Sequence, residues 1–153
     1  MKILTEDIIH FFQRQGFVIV STVDANQCPH NSCKGIVHMD ADGSIYLLDL
    51  YKNKTYENLK ANPRISITAV DEHKFNGYCL KGRARLIPDK KIKSHIIKAW
   101  EDKITGRVTR RVLKELREGE GHPRYPEISL PKPEYMIVMK VEEVIDLAPH
   151  PLK

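Results

Sequence analysis

A chain of 153 residues is expected to form a single domain over residues 1–153, or one subunit that shares its core across an interface, and leaves no room for a second independent domain. Apolar residues make up 41% and charged residues 29%, which argues against disorder, and no apolar run approaches the roughly 20 residues that span a bilayer. The formal charge of +5 raises nucleic acid as a partner, but the clusters Lys90, Lys91, Lys93, Lys98 and Arg107, Arg110, Arg111, Lys114, Arg117 interleave with apolar residues at helical spacing and carry no recognition motif, so they read as solvated helix faces.

The first residues turn acidic at Glu6 and Asp7 before a signal-peptide apolar region can form, which points to a cytoplasmic protein. Thr5 is placed to cap a helix with Ile8, Ile9 and Phe12 on one side, and Gly16 is placed to end it. Phe17 to Val23, rich in β-branched residues, predicts a strand. Asp24-Ala25-Asn26-Gln27 reads as a turn, and Cys28 to Met39 reads as a second extended stretch completing a hairpin. His30 and His38, eight residues apart on one strand, would share a face and can each be weighed as a proton donor or as an ordinary strand histidine. The cysteines Cys28, Cys33 and Cys79 lack metal-type spacing and are expected to be reduced thiols packed mostly in strands. No metal site is expected.

After the turn at Asp40 to Gly43, a third strand from Ser44 to Leu50 delivers the chain to a short helix that Asn62-Pro63 stops. The first turn of that helix carries Lys54 and Thr55. Helix N-termini present unpaired N–H groups and the positive end of the helix dipole, so a lysine and a hydroxyl there make a seat for a phosphate monoester, as in a phosphorylated cofactor.

Ile65, Ile67 and Ala69 alternate with Arg64, Ser66 and Thr68, as expected for a half-buried strand. Gly77 to Ile87 also alternates, with Tyr78, Leu80, Gly82, Ala84 and Leu86 on one face and Cys79, Lys81, Arg83 and Arg85 on the other. These three cations are either exposed and paired with acidic residues or turned toward an anionic ligand. Pro88 can open a helix in which Ile92, Ile96, Trp100 and Ile104 recur, and Gly106 predicts a kink or a helix pair before Val108, Val112, Leu113 and Leu116. A loop rich in Gly and Pro follows; its His122-Pro123-Arg124-Tyr125 segment can be weighed as a lid or a mere connection. Tyr135 to Leu147 closes the chain as a strand. About six strands with hairpin-sized connections predict a mainly β fold, an antiparallel barrel with flanking helices.

The segment Lys54-Thr55-x-x-Asn58-Leu59-x-x-Asn62-Pro63-Arg64-Ile65-Ser66, with Pro29-His30-Asn31-Ser32, the Asp42-Gly43 turn and Leu80-Lys81-Gly82-Arg83-Ala84-Arg85-Leu86, resembles the FMN-binding split barrels related to pyridoxamine 5′-phosphate oxidase. The resemblance covers about residues 8–87. It implies a six-stranded split barrel that binds FMN, with Lys54 and Thr55 on the phosphate. It further implies that the flavin ring lies against Asn31, Ser32, Cys33, Lys34 and Gly35, and that Asp49 and Leu50 border the ribityl chain or ring. Asn58 either reaches the cofactor or bonds its own helix. A homodimer with the cofactor at the interface is implied, as is a small-molecule redox substrate or electron donor.

Departures from the family pattern matter too. The tail from Val144 to Lys153 lacks the family's arginine and histidine substrate constellation, and Lys54-Thr55 replaces the usual Arg-Lys pair, which argues against vitamin B6 oxidation. The resemblance therefore implies an FMN-dependent oxidoreductase or electron carrier in which no side chain is singled out as a catalyst. The alternatives are a non-enzymatic flavin-binding protein for storage or sensing and a nucleic-acid-binding barrel. FAD, a deazaflavin or haem stay open as the ligand.

Overall fold

A computed structural model describes residues 2–118 and 131–150. The elements run α1 (Glu6–Gln13), β1 (Val18–Val23), β2 (Pro29–Lys34), β3 (Ile36–Met39), β4 (Ser44–Asp49), α2 (Lys54–Ala61), β5 (Arg64–Asp71), β6 (Asn76–Pro88), a 3₁₀ turn (Asp89–Lys91), α3 (Ser94–Glu118) and β7 (Tyr135–Asp146). The candidate lid at His122 to Tyr125 lies outside the described residues.

Seven strands, not six, form one antiparallel sheet in the order β2-β1-β5-β6-β7-β4-β3. The extra strand arises at Gly35, which divides the single stretch expected from Cys28 to Met39 into β2 and β3. Those halves are the two edges of the sheet, yet they are neighbours in sequence. The sheet therefore curls round and meets itself at Gly35, which makes it a split barrel. The same break parts His30 from His38, which end on opposite edges rather than on one strand face. His38 instead bonds Asp40 at 2.7 Å.

The interior follows from strand alternation. Val18 and Val20 of β1, Ile65, Ile67 and Ala69 of β5, Leu80 and Ala84 of β6, Ile45 and Leu47 of β4, and Tyr135, Ile137, Met139 and Val141 of β7 fill one core. Helix α1 adds Ile8, Phe11 and Phe12 to it, and the Thr5 hydroxyl caps this helix by accepting from the Ile8 N–H. A second, smaller core lies on the outer face of β3, β4 and β7, where Val37, Leu48, Met136 and Val138 meet Ile96 of α3, with Ile92, Ile97 and Trp100 packed around them. This double burial explains why β7 is apolar on both faces over its first five residues. A bulge between Ile36 and His38 resets the alternation, so that Ile36 and Met39, three residues apart, both point into the barrel while Val37 points toward α3.

Two expectations for the helices change. Gly106 does not divide the helix: α3 runs unbroken over 25 residues. One helical glycine costs only about 1 kcal/mol relative to alanine, which the surrounding helix-forming residues absorb. Pro88 ends β6 rather than opening the helix, which begins at Ser94. The apolar stripe of the second half of α3 is uncovered among the described residues, with Leu113 and Leu116 exposed.

Glycine has a steric role at one position above all. Between Lys81 and Gly82 the β6–β7 register slips past Glu142, and a Cβ on Gly82 would lie 2.0 Å from the Lys140 carbonyl oxygen. No side chain fits there.

Candidate functional site

Strand β2 has the sequence Pro-His-Asn-Ser-Cys-Lys, without one aliphatic side chain. Its register with β1 pairs Lys34 with Val18, Ser32 with Val20 and His30 with Thr22, so these three polar residues share the inward face of β1. Cross-strand neighbours point to the same side of a sheet. Asn31 and Cys33 accordingly face outward, where the Ser21 hydroxyl donates to Asn31 Oδ1 at 2.6 Å. The run Asn31, Ser32, Cys33, Lys34, Gly35 is thus divided between two surfaces. Cys33 and Cys28 are exposed and Cys79 is half-buried, which corrects the expectation of thiols packed in strands; Cys28 lies in the turn before β2.

Helix α2 closes the end of the barrel beside β2. Leu59 anchors it in the core, and Thr55 and Asn58 of the same helix are buried polar groups. The Thr55 hydroxyl lies 3.0 Å from the Ser32 hydroxyl, and the Asn58 amide donates to the Thr22 hydroxyl at 3.0 Å. The Asn58 side chain therefore ties α2 to β1 rather than bonding its own helix. At the start of α2, Asn53 provides no side-chain cap, so the first N–H groups keep their positive field. Lys54 is exposed at this end. The nearby Asp24 carboxyl is held below its usual range, first by the Cys28 and Asn26 N–H groups and to a smaller extent by Lys54.

One step along β2, Lys34 and Asp49 form an ion pair at 2.5 Å, with side chains only 10% and 14% exposed. Asp49 also accepts from the Tyr135 hydroxyl at 2.5 Å. Tyr135 stands opposite Asp49 in the β4–β7 register and packs edge-on against Tyr56 of α2, ring centroids 4.9 Å apart. Burial and then the Asp49 carboxylate push the Tyr135 phenol well above its ordinary pKa, so it stays a donor.

A cavity of about 460 Å³ opens where β2 parts from β3. Cys33, Lys34, Gly35, Asp49 and Leu50 line its barrel side, and Trp100, Lys103, Ile104, Arg107 and Arg111 of α3 line the other. The expected residues therefore fall into two adjacent places. Lys54, Thr55, Ser32 and, behind them, Asn58 gather at the start of α2, while Cys33, Lys34, Gly35, Asp49 and Leu50 gather at the cavity. Asn31 joins neither group through its side chain.

Sequence reasoning did not single out Thr22, Tyr135 or the α3 wall. Thr22 carries a faint signal, a hydroxyl at an inward position of an otherwise valine-rich strand; Tyr135 carries none. Lys81 and Arg83, weighed as anion ligands, pair on the exposed face with Glu143 at 3.7 Å and Glu142 at 3.4 Å. Among the described residues no group of three His, Cys, Asp or Glu side chains could hold a metal ion, and no helix is long and apolar enough to cross a membrane.

Comparison with known proteins extends these observations. The family profile described as pyridoxamine 5′-phosphate oxidase matches residues 4–147. No curated protein matches the chain. Among solved structures, HupZ of Group A Streptococcus superposes with a TM-score of 0.65 at 19% identity, over 95% of each chain. General stress protein 26 of Bacillus anthracis strain Sterne gives a TM-score of 0.58 at 17% identity, over 95% of this chain and 94% of that one. An F420 reductase gives 0.58 at 15% identity, over 93% of this chain and 98% of that one. At such identities these neighbours share the fold.

Proposed function

Because the chain belongs to the pyridoxamine 5′-phosphate oxidase family, we propose that it is an FMN-binding flavoprotein, an oxidoreductase or electron carrier rather than a pyridoxamine phosphate oxidase proper. The observation that carries this reading is the paired hydroxyls of Ser32 and Thr55, 3.0 Å apart, at a helix N-terminus that lacks a side-chain cap. Two hydroxyls, a field of unpaired N–H groups and Lys54 are what a phosphate monoester needs: donors on several oxygens and one neutralising cation. Asn58 holds the helix to β1 through Thr22 and so fixes Thr55 in place.

The ring would lie toward Gly35, Asp49 and Leu50, at the cavity where backbone and side-chain polar groups converge on an apolar lining. Lys34, paired with Asp49, lines this cavity from β2 and would favour electron density on the ring edge it faces. When bound, the flavin supplies hydride or electron transfer, and the protein supplies position and electrostatics. Tyr135 keeps Asp49 oriented by donating to it from the core. Asn31 and Cys33 belong to this reading through the backbone of β2.

As to assembly, we propose a homodimer. The outer face of β1 and β5 exposes Ile19 and Val70, with Phe17 just before β1, an apolar surface suited to a second copy.

Purification followed by denaturation tests the cofactor. Released flavin that runs as FMN supports the reading, and protein that neither retains nor takes up FMN overturns it. Reduction of the bound flavin by a nicotinamide cofactor and its reoxidation by an acceptor would select the enzyme over the alternative of a storage or sensor protein.

A further inference from the structure

Two lysines line the cavity, and their nitrogens are engaged in different ways. Lys34 is ion-paired with the Asp49 carboxylate at 2.5 Å, and that carboxylate also takes the Tyr135 hydroxyl. Lys103, on the α3 wall, donates to the Ile36 carbonyl and forms no ion pair among the described residues. A backbone carbonyl accepts from a neutral amine as well as from an ammonium, so this bond holds the Lys103 nitrogen at the cavity wall in either state. Burial and then the Arg107 guanidinium lower the Lys103 pKa from its ordinary value. The other charged groups nearby are Arg111 in the cavity, Asp49 already taken by Lys34 and Tyr135, and Arg14, Asp102 and Arg110 along the adjoining groove. A lysine partly desolvated beside another cation is the arrangement that frees an amine lone pair for attack on a carbonyl. Around it Val37, Leu48, Trp100 and Ile104 supply an apolar lining, while Lys103 itself reaches solvent, so a small molecule can enter beside it.

We infer that Lys103 is the reactive amine of this cavity and binds an aromatic aldehyde or ketone as an imine, with the flat apolar body against Trp100 and Ile104. The nitrogen lone pair adds to the carbonyl carbon and gives a carbinolamine. Its hydroxyl then leaves as water, the nitrogen having given up both amine protons over the two steps, and a C=N bond replaces the C=O bond. Nothing is oxidised or reduced and no co-reactant is consumed. The imine needs only Lys103 and the α3 wall, so it is independent of the flavin reading, which uses the opposite side of the cavity.

Reductive trapping provides the test. The full-length protein as purified is incubated with 2-naphthaldehyde and sodium cyanoborohydride, which reduces an imine to a stable secondary amine, and the labelled lysines are located by peptide mass mapping. Lys103 is expected to label roughly tenfold faster than any other lysine, because the aromatic body gains by covering apolar surface before the carbonyl reacts. Glyceraldehyde, which offers a carbonyl without an apolar body, should show a several-fold smaller excess at this position. Trp100 is the single tryptophan of the chain and stands three residues before Lys103, so its emission should change in step with naphthaldehyde labelling. Lys103→Arg keeps a donor for the Ile36 carbonyl and should lose both the label and the emission change. Labelling spread evenly over the lysines of the wild-type protein, or labelling of Lys103 that leaves Trp100 emission unchanged, would overturn the inference. An equal excess at Lys103 for the two aldehydes would overturn the aromatic ligand class. None of these outcomes depends on how the variant folds.

Discussion

The hydroxyls of Ser32 and Thr55 lie 3.0 Å apart although 23 residues separate them in sequence. The pair joins strand β2 to the first turn of α2. Hydroxyls brought together by two different elements, at a helix start with no cap of its own, form a rigid polar corner rather than a flexible surface patch. What keeps the corner rigid can be tested one contact at a time.

Thr22 and Asn58 hold the corner from behind. Both are buried, Thr22 at 2% and Asn58 at 5% exposure, and they bond each other at 3.0 Å. Asn58→Leu alone should destabilise the protein by about 2 kcal/mol, because it strands the Thr22 hydroxyl without its donor. Thr22→Val in the same chain should restore most of that loss, since an apolar pair of similar shape leaves nothing unsatisfied. FMN affinity of the double variant should stay within about threefold of wild type, as 1.4 kcal/mol is already a factor of ten and no ligand contact is removed. Urea titration and flavin titration of the same three proteins check both halves. A loss of FMN affinity that persists in the double variant would make Asn58 a direct ligand.

Gly82 should tolerate no replacement. A methyl group there meets the Lys140 carbonyl oxygen at 2.0 Å, a backbone atom that cannot swing aside. Gly82→Ala is expected to cost about 3 kcal/mol, at the upper end of overpacking effects, whereas Gly106→Ala, with nothing within 4 Å of its Cβ, should stabilise the protein by up to about 1 kcal/mol. Thermal unfolding of the two variants side by side gives the comparison. A Gly82→Ala protein as stable as wild type would mean that the β6–β7 bulge is absent.

Tyr135 predicts an alkaline transition. Its folded pKa is raised, first by burial and then by Asp49, so the native state holds this proton more tightly than the unfolded chain. The associated stability is fully present below the unfolded value of about 10 and is lost as pH rises above it, by up to about 1.4 kcal/mol per pH unit. Tyr135→Phe should be less stable by about 1–2 kcal/mol at pH 8, where it lacks the bond to Asp49. Above pH 10 the gap should close, because the variant has no phenol to ionise. Denaturant midpoints of both proteins between pH 8 and 11 check this, and parallel curves would contradict it.

Where the determinants are local, the sequence was readable. Thr5 capping α1, the period of β5 and β6, the start of α2 at Lys54 and its stop at Asn62-Pro63 each depend on a few adjacent residues. What could not be read depends on pairings between distant segments. Gly35 looks like any strand glycine until β2 and β3 are seen to be opposite edges of one sheet. The partnership of Lys34 with Asp49 and Tyr135 joins β2, β4 and β7, and no spacing along the chain encodes it. Gly106 misled in the other direction: a breaker by propensity, it lies in an unbroken α3. Arg107 and Arg111 read as part of a solvated face and Lys103 is not singled out, because the face that α3 presents to the cavity is fixed only when Ile96 and Trp100 dock on β4 and β7.

The measurement that bears most directly on the account is equilibrium binding of FMN against riboflavin, which lacks only the phosphate, to the wild-type protein and to a Lys54→Ala, Thr55→Val variant. A phosphate held by charge-assisted bonds at the start of α2 should make FMN bind roughly a hundredfold more tightly than riboflavin, equivalent to about 2.7 kcal/mol, and most of that preference should vanish in the variant while riboflavin affinity stays the same. Equal affinity for the two flavins in the wild-type protein, or a preference that the variant retains, would contradict the assignment of Lys54, Thr55 and Ser32 as the phosphate seat.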